Sequence, residues 1–112
     1  MKILFAAGGT GGHINPALAV AGVVRERYPD AELYLLNLLY FQGDYVGNVA
    51  GFNSVIADTA ETYGCTLVDL YNGTGINASN LYTYMGQGNG LHPIQNGMDL
   101  ITNCVLEAMG AN

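Results

Sequence analysis

Residues 5 to 19 read FAAGGTGGHINPALA: an apolar run, four glycines within five residues, then Asn-Pro and a stretch of small apolar residues. This turn constrains the fold more than any other feature of the chain. A strand that ends in glycines and leads straight into a helix is the opening of a βαβ unit. The helix start then offers backbone amides that have no partner within the helix, the arrangement in which amides meet phosphate.

Around the turn, residues 2 to 7, KILFAA, predict a short buried strand, and Asn15-Pro16 supplies an N-cap and a first-turn proline for the helix. Ala17, Val20, Ala21 and Val24 then recur at helical spacing until YPDAE ends the helix. LYLLNLLYF, residues 33 to 41, is apolar without alternation, which predicts a parallel strand covered on both faces. Val49, Phe52, Ile56, Ala60 and Tyr63 predict a helix over residues 45 to 63 despite Gly47 and Gly51, and CTLVDLY reads as a third strand. Residues 72 to 93, with five glycines and little periodicity, read as a long loop. A last helix begins near Ile94, with Met98, Ile101, Val105 and Met109 on one face. The order βαβαβ-loop-α predicts an α/β fold: one small flavodoxin-like three-layer domain, residues 1 to 112, with a parallel three-stranded sheet and right-handed crossovers.

Half of the 112 residues are apolar, enough for a modest core. No long apolar segment suggests a membrane span or a leader, so a cytoplasmic protein is expected. Charge is distributed unevenly. Lys2, Arg25 and Arg27 against Glu26 leave residues 1 to 27 at +2, whereas residues 28 to 112 hold the other eight carboxylates and no Lys or Arg, giving −8. Such a surface repels nucleic acid and anionic membrane, and the eight tyrosines, with no cations between them, make a poor base-stacking platform. Cys65, Cys104, His13 and His92 have no metal-ligand spacing, so no metal and no cofactor are expected, and both thiols read as core residues.

Residues 1 to 32, MKILFAAGGTGGHINPALAVAGVVRERYPDAE, resemble the start of the MurG family, glycosyltransferases that add N-acetylglucosamine to the lipid intermediate of peptidoglycan. The resemblance rests on the complete GGTGGH loop and the Asn-Pro that follows. It implies that Gly8, Gly9, Thr10, Gly11, Gly12 and His13 face a cleft and associate with a diphosphate, so phosphate or sulfate is an expected ligand of the loop. That family holds its sugar nucleotide in a second domain, for which 112 residues leave no room, so glycosyl transfer is not expected.

Residues 33 to 112 resemble instead the C-terminal half of an SGNH (GDSL-type) hydrolase. LYLLNLLYF, the helix with Phe52-Asn53, LVDLY and GNGLHPIQNGMDLITNCV carry the likeness. The last stretch matches the DxxHP block, which implies that His92 stands at the general base. Asn89 occupies the position of the aspartate that orients it, so the imidazolium would lack its stabilising charge. If GGT takes the place of Gly-Asp-Ser, Thr10 stands at the nucleophile, with the amides of Gly11 and Gly12 as oxyanion donors. Asp69 is a second carboxylate to consider, although a strand-end residue of this type more often caps nearby amides.

Two likenesses meeting near the charge break read as a chimera, engineered or recombined, on a scaffold without an intact active site. A weak esterase using Thr10, His92 and Asn89, and a small anion-binding module, are the alternatives. Two open sheet edges beside a strongly apolar strand predict a homodimer or higher oligomer.

Overall fold

The computed structural model describes residues 1–6, 11–40, 49–86, 90 and 92–110, with the backbone alone for residues 11–15 and 18. Three parallel strands, β1 (Lys2–Phe5), β2 (Glu32–Leu36) and β3 (Thr66–Val68), form a sheet in the order β1-β2-β3. Between them run α1 (Gly11–Arg27) and α2 (Val49–Thr62); two single-turn helices, α3 (Leu70–Gly73) and α4 (Leu81–Tyr84), precede α5 (Gln95–Ala108). The three-layer α/β architecture is as expected. The strand order is sequential rather than the 2-1-3 arrangement of flavodoxin, so the likeness to flavodoxin lies in the layers.

Sequential order with right-handed crossovers puts α1 and α2 on one face, leaving the other for α5. The register agrees. Phe5, Leu35 and Leu67 share a face and pack with Ile56 and Ala60 of α2. Tyr34, Leu36 and Val68 share the opposite face and pack with Ile101, Cys104, Val105 and Ala108 of α5. Lys2 at the head of β1 donates to the Met109 carbonyl at the foot of α5 (2.6 Å), so α5 runs antiparallel to the strands and starts beyond their carboxyl ends.

β2 is the middle strand, as its apolar run predicts, with Leu33, Tyr34 and Leu35 all buried, but it ends at Leu36, and residues 37–40 of the predicted strand lie beyond it. Elsewhere the structure corrects the sequence reading. β1 is an edge strand that ends at Phe5 and leaves Leu4 exposed, not a buried strand to residue 7. α1 begins at Gly11, so Asn15 is not its N-cap and Pro16 lies inside the helix. Pro16 is the sixth helical residue, just past the first turn, and removes the one bond its amide would make to the Gly12 carbonyl. Of the expected apolar stripe of α1, Ala21 is buried but Val20 is 54% exposed. The described part of α2 begins at Val49; residues 45–48 of the predicted helix lie outside the described residues.

α2 ends on Gly64, whose φ of +65° suits glycine. Gly64 donates to the Glu61 carbonyl and Cys65 to that of Ala60, the paired bonds of a Schellman turn. The third strand is only three residues long because Asp69 turns the chain into α3.

The largest correction concerns residues 72–93. Ile76, Leu81 and Met85 from this stretch are buried in the core under α5, and Met85 pairs with Pro93 in an antiparallel bridge. A four-residue helix offers no periodicity to read, so its anchors pass for loop residues. α5 begins at Gln95 as expected, but its buried side runs through Gly97, Ile101, Cys104 and Ala108, leaving Met98 52% exposed. Gly97 marks a close approach: a Cβ there would overlap the Tyr84 carbonyl oxygen and touch the Pro93 ring.

Candidate functional site

Parallel α/β sheets present their sites at the carboxyl ends of the strands. In this chain three described segments reach that edge: the start of α1 at Gly11, Asn37 to Tyr40 after β2, and Asp69 after β3. The head of α5 lies beyond the same edge.

Asn37 is the centre of this edge. Only 8% exposed, it accepts the amides of Leu70 (2.7 Å) and Tyr71 (3.2 Å) on Oδ1 and donates Nδ2 to Asp69 Oδ1 (2.8 Å). Asp69 in turn accepts the Asn72 amide (3.1 Å) as N-cap of α3, and its Oδ2 accepts the Asn72 side chain (2.8 Å). Asp69 thus caps amides, the more common reading of a strand-end aspartate. Burial works to raise its pKa, but the hydrogen bonds from Asn72, Asn37 and the backbone amides outweigh it and hold the carboxyl below the usual range. Asn53 plays a similar part on α2: its side chain accepts the Leu38 amide (2.8 Å) and donates to the Leu38 carbonyl (3.2 Å), tying the end of β2 to the helix. Tyr40 and Tyr71 meet above this hub, ring centroids 6.1 Å apart.

His92 sits in a two-stranded clasp at the head of α5. Its carbonyl accepts the Gly86 amide (2.7 Å), and Ile94 donates to the Tyr84 carbonyl (3.0 Å) on the other side of the Met85–Pro93 bridge. The residue is exposed. Gly8, Gly9, Thr10 and Asn89 lie outside the described residues, as does the side chain of His13; Gly11 and Gly12 form the first turn of α1. Of the sequence-predicted set, the structure therefore brings His92 and the amide-bearing start of α1 onto the described fold. Asn37 escaped the sequence reading, although a lone asparagine within an otherwise apolar strand run was its visible mark.

Neither thiol is prepared as a nucleophile. Burial pushes the Cys65 pKa up, with Arg25 only partly opposing it, and burial with Glu107 and Asp69 pushes Cys104 up, so both remain protonated thiols at neutral pH. Both cysteines are free and half-buried rather than fully buried in the core. Among the described residues no three His, Cys, Asp or Glu side chains gather as a metal site requires, and no helix is long and apolar enough to cross a membrane.

The two ends of this geometry resemble different proteins. The UDP-N-acetylglucosamine–N-acetylmuramyl-(pentapeptide) pyrophosphoryl-undecaprenol N-acetylglucosamine transferase of Clostridioides difficile is 54% identical over 33 residues, 30% of this chain and 8% of its own length. The same transferase of Desulforudis audaxviator is 33% identical over 91 residues, 81% of this chain and 22% of its own. An alignment of that length runs past residue 32, so the transferase likeness extends, more thinly, into the second half. The chain spans under a quarter of the length of these relatives.

In fold, the chain is similar to hydrolases. A GDSL-like lipase from Parabacteroides merdae superimposes with a TM-score of 0.68 at 19% identity, covering 89% of this chain and 49% of the lipase. An alpha/beta hydrolase from the metagenome of Lake Arreo gives 0.65 at 19%, covering 98% and 60%. A protein from Lactobacillus plantarum gives 0.74 at 15%, covering 99% and 67%. No family model matches the chain. The chain therefore combines transferase-like sequence with a fold shared with a GDSL-like lipase.

Proposed function

We propose that the chain is a compact α/β scaffold, a chimera of a transferase-like βα unit and a hydrolase-like remainder, without an intact active site. The observation that carries this reading is the engagement of the polar groups at the carboxyl edge. Asn37, Asn53 and Asp69 direct their hydrogen bonds to backbone amides, to a carbonyl and to one another, which stabilises turns and commits the Asp69 carboxylate to structure rather than to substrate. Among the described residues no buried side-chain nitrogen or oxygen lacks a partner, whereas catalytic groups are often held with unsatisfied hydrogen-bonding capacity. Asn89 in the aspartate position adds to this, since a neutral amide cannot stabilise an imidazolium at His92.

Hydrolysis of p-nitrophenyl acetate tests the reading. Turnover is expected at the level of free imidazole, with any excess lost in His92→Ala. Robust turnover lost in both His92→Ala and Thr10→Ala would establish the esterase instead and overturn the scaffold.

A further inference from the structure

We infer that the outer edge of β1, with the adjoining flank of α1, is a docking surface for a second copy of this chain. Among the described residues β1 has one neighbour in the sheet order, and the main-chain groups of its other side have no strand beside them. The Met1 carbonyl accepts the Glu32 amide (2.8 Å), so odd-numbered residues turn their polar groups toward β2. Lys2 and Leu4, and Ala6 beyond them, turn theirs outward. The side chain of Leu4 lies on the α5 face, outside the cluster that α5 closes over β3, and it is 39% exposed.

The same edge is apolar on the other face. Gly22 and Arg25 face the end of α2: Gly22 approaches the Tyr63 ring, and Arg25 donates to the carbonyls of Tyr63 and Gly64. At 100° per residue, Val20 and Val23 lie across the helix from Gly22 and Arg25, on the flank away from α2 and toward the β1 edge. Both are about half exposed. Main-chain groups, Leu4 and two valines thus border one unpaired edge.

A second copy fits this surface in a way other partners do not. Two strands related by a two-fold axis pair antiparallel, and residues directly opposite share a face. Centred on Leu4, that pairing sets Leu4 against its symmetry mate, Ile3 against Phe5, and Lys2 against Ala6, with no like charges opposed. It also brings the two α1 helices alongside each other through Val20 and Val23. Charge points the same way. Residues 28 to 112 carry −8 in each copy, so any contact that brings those parts of two copies together is opposed by like charge. The least acidic approach between two copies is through residues 1 to 27.

Light scattering at micromolar concentration, with far-UV circular dichroism on every variant, tests the inference. The wild-type chain is expected to show twice the 11.8 kDa chain mass. Leu4→Lys should halve the observed mass while the fold persists, and Val55→Lys, on the exposed side of α2, should leave it unchanged. Leu4→Cys should give a covalent dimer on mild oxidation that the wild type does not, because Cα atoms about 5.5 Å apart lie within disulfide reach. Cross-linking decides the matter if Leu4→Lys does not fold. A monomeric wild type, a folded Leu4→Lys dimer, or failure of Leu4→Cys to cross-link would overturn it.

Discussion

The β1-α1 unit and the α3-to-α5 segment are built in opposite ways. The first holds the residues most similar to a known protein, yet α1 has Ala21 as its buried anchor and leaves Val20 and Val23 in solvent. The second reads as a glycine-rich loop and a helix, yet it supplies Leu70, Ile76, Leu81 and Met85 to the larger core. Likeness in sequence follows the glycine turn and its neighbours, whereas burial follows the elements that close over the central strand. The lesson is that the recognisable part of this chain is not the part that holds it together.

The strongest way to break this comparison is to shorten a core side chain in each region. Met85→Ala removes a fully buried side chain and should cost about 2–5 kcal/mol, whereas Val23→Ala, in solution dilute enough to keep the chain monomeric, should stay within about 0.5 kcal/mol. Urea midpoints measure both. Equal losses would show that α1 is as integral to the core as the segment under α5.

A smaller effect is expected at the junction of β2 and β3. Asn37→Ala leaves the Leu70 amide buried without its acceptor and should cost about 1–3 kcal/mol for that group alone. It should also free Asp69 from one of its two asparagine partners. A neutral result in urea denaturation would mean that the edge relaxes to water, and that the hub is decoration rather than the tie between β2 and the α3-to-α5 segment.

The smallest effect sharpens the role of Asp69. Its folded-state pKa lies below the unfolded value of about 3.9, so its contribution is fully present above that value and is lost as pH falls through the folded pKa. Wild-type stability should therefore fall in strong acid more steeply than that of Asp69→Asn, measured by urea midpoints at neutral pH and below pH 4. Parallel acid limbs would assign the loss to other carboxylates.

Much of the fold was legible because its residues carry their own physical mark. A short apolar run without alternation fits a strand covered on both faces, and β2 is the middle strand. Ile56 and Ala60 sit four apart on one side of α2 and are both buried. The failures share a cause. Ile76, Leu81 and Met85 lie in a segment with no element long enough to show a period. Val20 and Met98 have the right spacing but fall just outside the contact stripe of helices covered on one side. At the candidate site, the block around His92 drew attention to that residue, whereas the partners of Asn37, 32 or more residues away, could not be read from spacing.

The sequence by itself determined the class of this protein: parallel strands joined by helices, a glycine turn at the head of α1, and an acidic second half. These follow from period, apolarity and charge, which are properties of short windows. Tertiary structure alone decided the strand order, the open β1 edge, the burial of Met85 and the commitment of Asp69 to Asn37 and Asn72. Each of these depends on residues far apart in the chain meeting across the sheet. No local pattern encodes which helix will cover a strand, or which asparagine will reach an aspartate 32 residues away.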